Sequence, residues 1–91
     1  MAVMKKVMHS DAGHGWLAVK LGELKMMGVE AEISEYSYVK GKTVYLEEDV
    51  DAMKFIEAAK EKGITIELKE SPPRETSPIR YLKSYSPEMA D

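Results

Sequence analysis

A chain of 91 residues has room for one domain with a single modest hydrophobic core. Its 44% hydrophobic and 32% charged residues are typical of a folded globular protein, and a net charge of -3 gives no support to general affinity for nucleic-acid phosphates. The absence of cysteine excludes disulfides and thiolate metal sites. No apolar run reaches the roughly 18 residues of a membrane span. The N-terminus also lacks the apolar region of a signal peptide, which predicts a cytoplasmic protein.

The first third of the chain alternates between strand and turn patterns. A short strand is predicted over Val3–Met8, with Val3, Lys5 and Val7 on one face and the other three residues on the opposite face, and the histidine- and glycine-containing segment 9–15 predicts a loop. Leucines and methionines at helical spacing predict a short helix near residues 20–27, which Gly28 ends. The alternation in residues 29–34 predicts a half-buried strand.

A β-hairpin is predicted between residues 36–39 and 43–48, with Gly41 in the turn. A two-residue loop would place Ser37 on the apolar face of the second strand. A three-residue loop would place Tyr38 there instead. Because a strand face tends to be buried as a unit, the sequence favours the three-residue loop.

The pattern of the next segment predicts the main helix, at about residues 51–62. Asp49 or Asp51 can cap its first turn, and Gly63 is suited to end it. Its apolar face consists of Ala52, Phe55, Ile56 and Ala59.

The C-terminal part is predicted to hold a last strand over residues 64–68, a proline-rich linker, and a short tail helix near 78–85. The predicted fold is therefore α+β, with a mostly antiparallel sheet of about four strands packed by the main helix. Residues 1–70 are interpreted as one domain, and residues 71–91 as a linker with a short helical appendage.

Two surface features predict a protein-binding site. Acidic residues concentrate between Glu30 and Asp51, which suits contact with a basic surface, and tyrosine is the dominant aromatic residue. Solvated charge and half-exposed strand packing explain the same residues without any partner. The candidate partner-binding residues are Glu30, Glu32, Glu35, Tyr36, Tyr38, Tyr45, Glu47, Glu48 and His14.

The histidines favour neither a metal site nor a catalytic site. Zinc requires three or four ligands, and His9 and His14 have only Asp11 close by in sequence. No nucleophile elbow or phosphate-binding glycine loop occurs. The glycines that flank His14 would let a loop present it to a partner, but Trp16 as a buried core residue, with the glycines shaping a turn, is the favoured explanation. We therefore predict no cofactor and no enzymatic activity.

Several motifs resemble those of a known group of proteins. They are the run His14-Gly15-Trp16-Leu17, the pair Ser37-Tyr38 followed by Gly41, the segment Val44–Asp49 with Asp51, and Ile79-Arg80 with Leu82 and Tyr85. Over Gly13 to Tyr85 the chain resembles small uncharacterised proteins encoded by phages, plasmids and integrative elements. The resemblance implies a mobile-element origin and no catalytic residues.

The leading hypothesis is a non-enzymatic protein-binding module of a phage or plasmid, which could inhibit a host nucleic-acid enzyme or defence complex. Its partner would be a host or mobile-element protein, and a homodimer stays open. One alternative is a nucleic-acid-binding accessory protein that uses Lys5, Lys6, Lys40, Lys42, Arg74, Arg80 and Lys83. The other alternative is a small enzyme centred on His14 with Asp11, which the missing triad spacing disfavours.

Overall fold

The computed structural model describes residues 2–11, 13–72 and 78–90. Its regular elements are β1 (Ala2–Ser10), β2 (Gly15–Lys20), α1 (Leu21–Met27), β3 (Tyr38–Lys40), β4 (Thr43–Glu47), α2 (Asp51–Glu61), β5 (Ile64–Glu70) and β6 (Lys83–Ser84). Two 3-10 helices, Pro78–Tyr81 and Pro87–Ala90, lie on either side of β6. The α+β class predicted from the sequence is confirmed, and both predicted internal helices are present.

The strands form one mixed sheet in the order β5-β1-β2-β4-β3-β6. The prediction of about four mostly antiparallel strands is corrected to six in the described residues, of which β1 and β5 pair in parallel. The parallel pair follows from the connection through α2. A helix between two strands returns the chain to the end where the first strand began, so β5 runs in the direction of β4 and β1.

The main core lies between one face of the sheet and the two helices. Leu17, Val44 and Leu46 point from the central strands towards Phe55 of α2 and Leu24 of α1, and all five side chains are fully buried. Neither α1 nor α2 packs on the opposite face of the sheet. We call it the open face; across it lie the paired residues Val7, Ala18, Tyr45 and Tyr38.

The predicted hairpin register is wrong. The observed pairs are Val39 with Val44 and Tyr38 with Tyr45, so the loop has two residues and Tyr38 faces away from the main core. Gly41 takes the first loop position with φ of 61°, the conformation that a type II′ turn requires there. The sequence argument treated Ser37 as too polar for the core face. It is fully buried because its hydroxyl is hydrogen-bonded.

The strand predicted over residues 29–34 is also absent, and the segment forms turns. The amide of Glu32 donates to the carbonyl of Val29 at 2.8 Å, which closes one of these turns. Val29 and Ile33 are buried whereas Ala31 is exposed. Two buried residues four positions apart therefore come from turns that bring them back to the core, not from strand alternation.

In place of the predicted tail helix near 78–85, the chain forms a 3-10 turn followed by β6, which pairs with β3 and forms an edge of the sheet. Beyond β6, Tyr85 enters the main core, and its hydroxyl donates to the carbonyl of Glu30 at 2.6 Å. A helix of about eight residues is too short to be stable by itself, so the tertiary contacts of the segment decide its structure. The division of the chain into residues 1–70 and an appendage stays a prediction.

Candidate functional site: an aromatic and acidic cleft

A cleft of about 540 Å³ lies where the open face meets the loops at one end of the sheet. Three loops converge there because β2 and β3 begin, and β4 ends, at this end of the sheet. The cleft is lined by His14, Trp16, Ser34, Tyr36, Tyr38, Glu47, Asp49 and Val50. We call it the aromatic cleft.

Aromatic side chains form its floor and one wall. Trp16 is only 2% exposed and stands between two rings, with His14 at 5.9 Å and Tyr38 at 6.3 Å between ring centroids. Tyr36, in the turn before β3, is 70% exposed. The buried tryptophan holds the other rings in place, and Tyr36 offers an open aromatic face to an incoming group.

The acidic rim is formed by Glu47 and Asp49, and Glu47 also caps α2. Its two carboxylate oxygens accept the amides of Asp49 and Val50, both at 2.9 Å. Burial alone would raise the pKa of Glu47. The hydrogen bonds from the backbone amides of Val50, Asp49 and Asp51 outweigh this effect and lower the pKa below its ordinary value. The helix cap predicted for Asp49 or Asp51 is thus supplied by Glu47.

This lowered pKa predicts a pH-dependent contribution to stability. We expect Glu47→Gln to reduce the free energy of unfolding at neutral pH by about 0.5–1 kcal/mol, because the helix N-terminus loses a nearby negative charge. A group whose pKa is depressed by folding stabilises the fold above its unfolded pKa. That stabilisation is lost as the pH falls through the folded value. Urea unfolding of parent and variant should therefore give curves that converge in acid.

The matched control for this experiment is Glu48→Gln, because Glu48 is the next residue and its side chain is exposed. We expect the control to unfold like the parent at every pH. A difference between Glu47→Gln and the parent that stayed constant down to strong acid would contradict the capping role.

A buried aspartate fixes the loop that carries Tyr36. Asp51, the first residue of α2, is fully buried, and one of its carboxylate oxygens accepts the hydroxyls of Ser34 and Ser37, each at 2.6 Å, as well as the amide of Ser34 at 3.0 Å. The hydroxyl of Ser37 in turn accepts the amide of Glu47 at 2.9 Å. The network joins the start of α2, the end of β4 and the turn before β3, and so sets the shape of the cleft.

The structure brings together four of the nine residues predicted as a binding site: His14, Tyr36, Tyr38 and Glu47 line the aromatic cleft. The other five lie elsewhere. Glu32 and Glu35 are exposed on the turns before the cleft, Glu30 is half-buried, Tyr45 lies on the open face against His9, and the Glu48 side chain lies over Gly15.

Sequence reasoning left Trp16, Ser34, Asp49 and Val50 out of the candidate set. Asp49 is predicted as a helix cap and Val50 has no predicted role, so neither is counted among the binding residues. The available signal was Val50, an apolar residue within an acidic run, which is 51% exposed in the structure. Such exposed apolar residues beside an acidic rim are typical of contact sites.

The geometry around His14 gives the enzyme hypothesis no support. The Asp11 side chain accepts the backbone amides of Gly13 and His14, at 3.1 and 3.0 Å, which shapes the loop. In a catalytic pair the carboxylate would orient the imidazole ring itself. Among the residues that the structure describes, no group of three or more histidine, aspartate or glutamate side chains is arranged to hold a metal ion.

No protein-family model matches the chain, and comparisons with curated proteins and with solved structures returned no significant similarity. Within the described residues, no helix combines the length and the hydrophobicity needed to cross a bilayer. The functional argument therefore depends on the aromatic cleft itself.

Proposed function

We propose that this protein is a non-enzymatic binding module and that the aromatic cleft is its contact site for a partner protein with a basic surface. The observation that carries the proposal is the combination of an exposed tyrosine, Tyr36, and an exposed valine, Val50, with two carboxylates in one cleft. In the folded protein these two apolar side chains stay exposed to water, and binding of a partner would bury them.

The charge around the cleft supports a basic partner. Glu32 and Glu35 are exposed on the turns that precede Tyr36 in sequence, and Glu48, which precedes Asp49, is exposed as well, so the segments that carry the cleft residues are acidic. Complementary charge speeds association and discourages acidic partners. The resemblance to mobile-element proteins makes a host protein the first partner to test, for example a nucleic-acid enzyme with a basic groove.

We expect immobilised parent protein to capture a bacterial protein that the variant Tyr36→Ala fails to capture. The substitution removes an exposed ring and leaves the fold intact, because the Tyr36 contact that supports the turn is a backbone amide bonded to Ser34. Quantitative mass spectrometry of the captured proteins would measure the difference. Asp49→Asn should reduce capture in the same way, and more so at low salt.

The matched control is Tyr81→Ala, because Tyr81 is 81% exposed and lies outside the cleft. The control should capture the same protein as the parent. If parent, cleft variants and control all capture the same set of proteins, the cleft is not the contact site and the proposal fails.

A second candidate function is supported by one observation on the open face. Lys20 pairs with Thr43, which pairs with Lys40, and Lys5 lines the same groove as Lys20. Lysines that share a sheet face with Tyr38 and Tyr45 are the arrangement by which some sheets bind single-stranded nucleic acid. Fluorescence anisotropy with labelled single-stranded RNA or DNA tests it, since binding should weaken in Lys20→Glu and remain in Tyr36→Ala.

The other basic residues proposed for nucleic-acid binding do not join this row. Lys6 lies on the helix side of the sheet, where it forms a salt bridge with Glu23. Lys42 is in the hairpin loop, and Lys83 is in the edge strand β6. Arg74 and the side chain of Arg80 lie outside the described residues.

A further inference from the structure

We propose that the aromatic cleft seats a single arginine side chain of the partner protein. The inference rests on the proposed function and adds the chemical group that is recognised. It follows from three properties of the cleft: an exposed aromatic face, a pair of adjacent carboxylates, and the absence of any cation among its described lining residues.

The aromatic faces suit a planar cation. Tyr36 is mostly exposed, Tyr38 is half-buried and His14 is exposed, and all three line the cleft, so an entering group meets aromatic rings. Guanidinium groups stack on aromatic rings, and the attraction between cation and ring increases when both are withdrawn from water. Trp16, buried beneath these side chains, keeps the floor of the cleft apolar and rigid.

The carboxylates supply the charge complement. Glu47 and Asp49 both line the cleft, and the Glu47 carboxylate accepts the amide of Asp49 at 2.9 Å, so the two acidic residues belong to the same rim. Neighbouring carboxylates favour a positively charged group between them and the aromatic wall. Lys54, on the facing helix, is occupied by the carbonyl of Glu32 at 2.6 Å and by Asp51.

The size and lining favour arginine on a peptide over a free small cation. A cleft of about 540 Å³ has room for a long side chain together with part of the backbone that carries it. Val50 at the rim offers an apolar surface for the methylene groups, while the fork of the guanidinium can bind Asp49 through two hydrogen bonds. A lysine ammonium has no such planar fork and is more strongly hydrated.

The test is a titration with short glycine peptides that carry one central arginine, lysine, citrulline or norleucine. Trp16 is the only tryptophan, so its fluorescence reports on the cleft. We expect saturable binding of the arginine peptide. The citrulline peptide, which keeps the shape and loses the charge, should bind about 10-fold more weakly, and Tyr36→Leu should weaken arginine binding about 5-fold. Asp49→Asn should reduce both the affinity and its salt dependence, whereas Tyr81→Leu should bind like the parent.

The outcomes separate this inference from the proposed function. Equal binding of arginine and citrulline peptides, or of arginine and lysine peptides, overturns arginine recognition. Failure of the arginine peptide to bind also overturns it, even if partner capture still depends on Tyr36, in which case the proposed function stands. Urea unfolding of each variant confirms that Tyr36→Leu and Asp49→Asn are folded, since both side chains are exposed.

Discussion

Asp51→Ala should lower the free energy of unfolding by about 3–5 kcal/mol, because it leaves three buried or half-buried donors without their acceptor, each at a cost of about 1–3 kcal/mol. These donors are the hydroxyls of Ser34 and Ser37 and the amide of Ser34. The loss affects three elements together, since the same network joins α2, β4 and the turn before β3. Urea unfolding followed by circular dichroism measures the change.

Asp49→Ala is the matched control, because Asp49 is also acidic, lies two residues earlier and is exposed. Surface substitutions of this kind usually change stability by less than about 0.5 kcal/mol. A loss below 1 kcal/mol in Asp51→Ala would mean that the serines find other partners. The cleft would then not depend on the buried aspartate.

The parts of the fold that the sequence predicts are those with a local signal. The main helix is recognisable because Ala52, Phe55 and Ala59 repeat with helical spacing, and all three are buried in the structure. The strand over residues 64–68 is visible through alternation, and Ile64 and Ile66 pack against the core, whereas Leu68 is 46% exposed. Sequence spacing and burial agree where one face of a regular element meets one core.

The hairpin register was predicted wrongly because the argument used side-chain polarity alone. Ser37 is polar, yet the buried carboxylate of Asp51 satisfies its hydroxyl at 2.6 Å. The partner lies 14 residues away in sequence, and no local pattern indicates such a pair. A buried polar residue with a distant hydrogen-bond partner is a general limit of polarity patterns.

The parallel β1–β5 pair and the strand β6 were missed for a related reason. Both depend on contacts between residues far apart in sequence, such as Met4 with Ile66 and Tyr38 with Ser84. Strand pairing is decided by connection lengths and by packing of the whole sheet, which a single strand pattern does not contain. Hydrophobic periodicity thus predicts where strands and helices form better than it predicts which strands pair.

The candidate site was predicted in part because its residues come from loops. The glycines around His14 marked one loop, and the tyrosines marked another. The site can be predicted only with the correct register of the hairpin. That register places Tyr38 on the open face, beside Trp16. Glu30 and Glu32 are predicted to lie along a strand. Turns replace that strand, and Glu32 and Glu35 are exposed on them outside the lining of the cleft.

Tyr85→Ala should lower the free energy of unfolding by about 3–5 kcal/mol, as for other large aromatic side chains removed from a core. Tyr85 is buried with the main cluster, its hydroxyl bonds to Glu30, and its amide donates to the carbonyl of Ser37 at 2.7 Å. The residue thus ties the C-terminal segment to the turns that border the cleft. Thermal and urea unfolding would measure the loss.

Two comparisons make the Tyr85 experiment specific. Tyr85→Phe keeps the ring and removes the hydroxyl, so it should cost only about 1 kcal/mol for the hydrogen bond to Glu30. Tyr81→Ala removes a ring that is almost fully exposed and should leave stability nearly unchanged. If Tyr85→Ala instead unfolds like Tyr81→Ala, residues 1–70 form the stable unit and the C-terminal segment is an appendage. The expected large loss would show that the tail completes the core, because Tyr85 is a buried member of the main cluster and is bonded to Glu30.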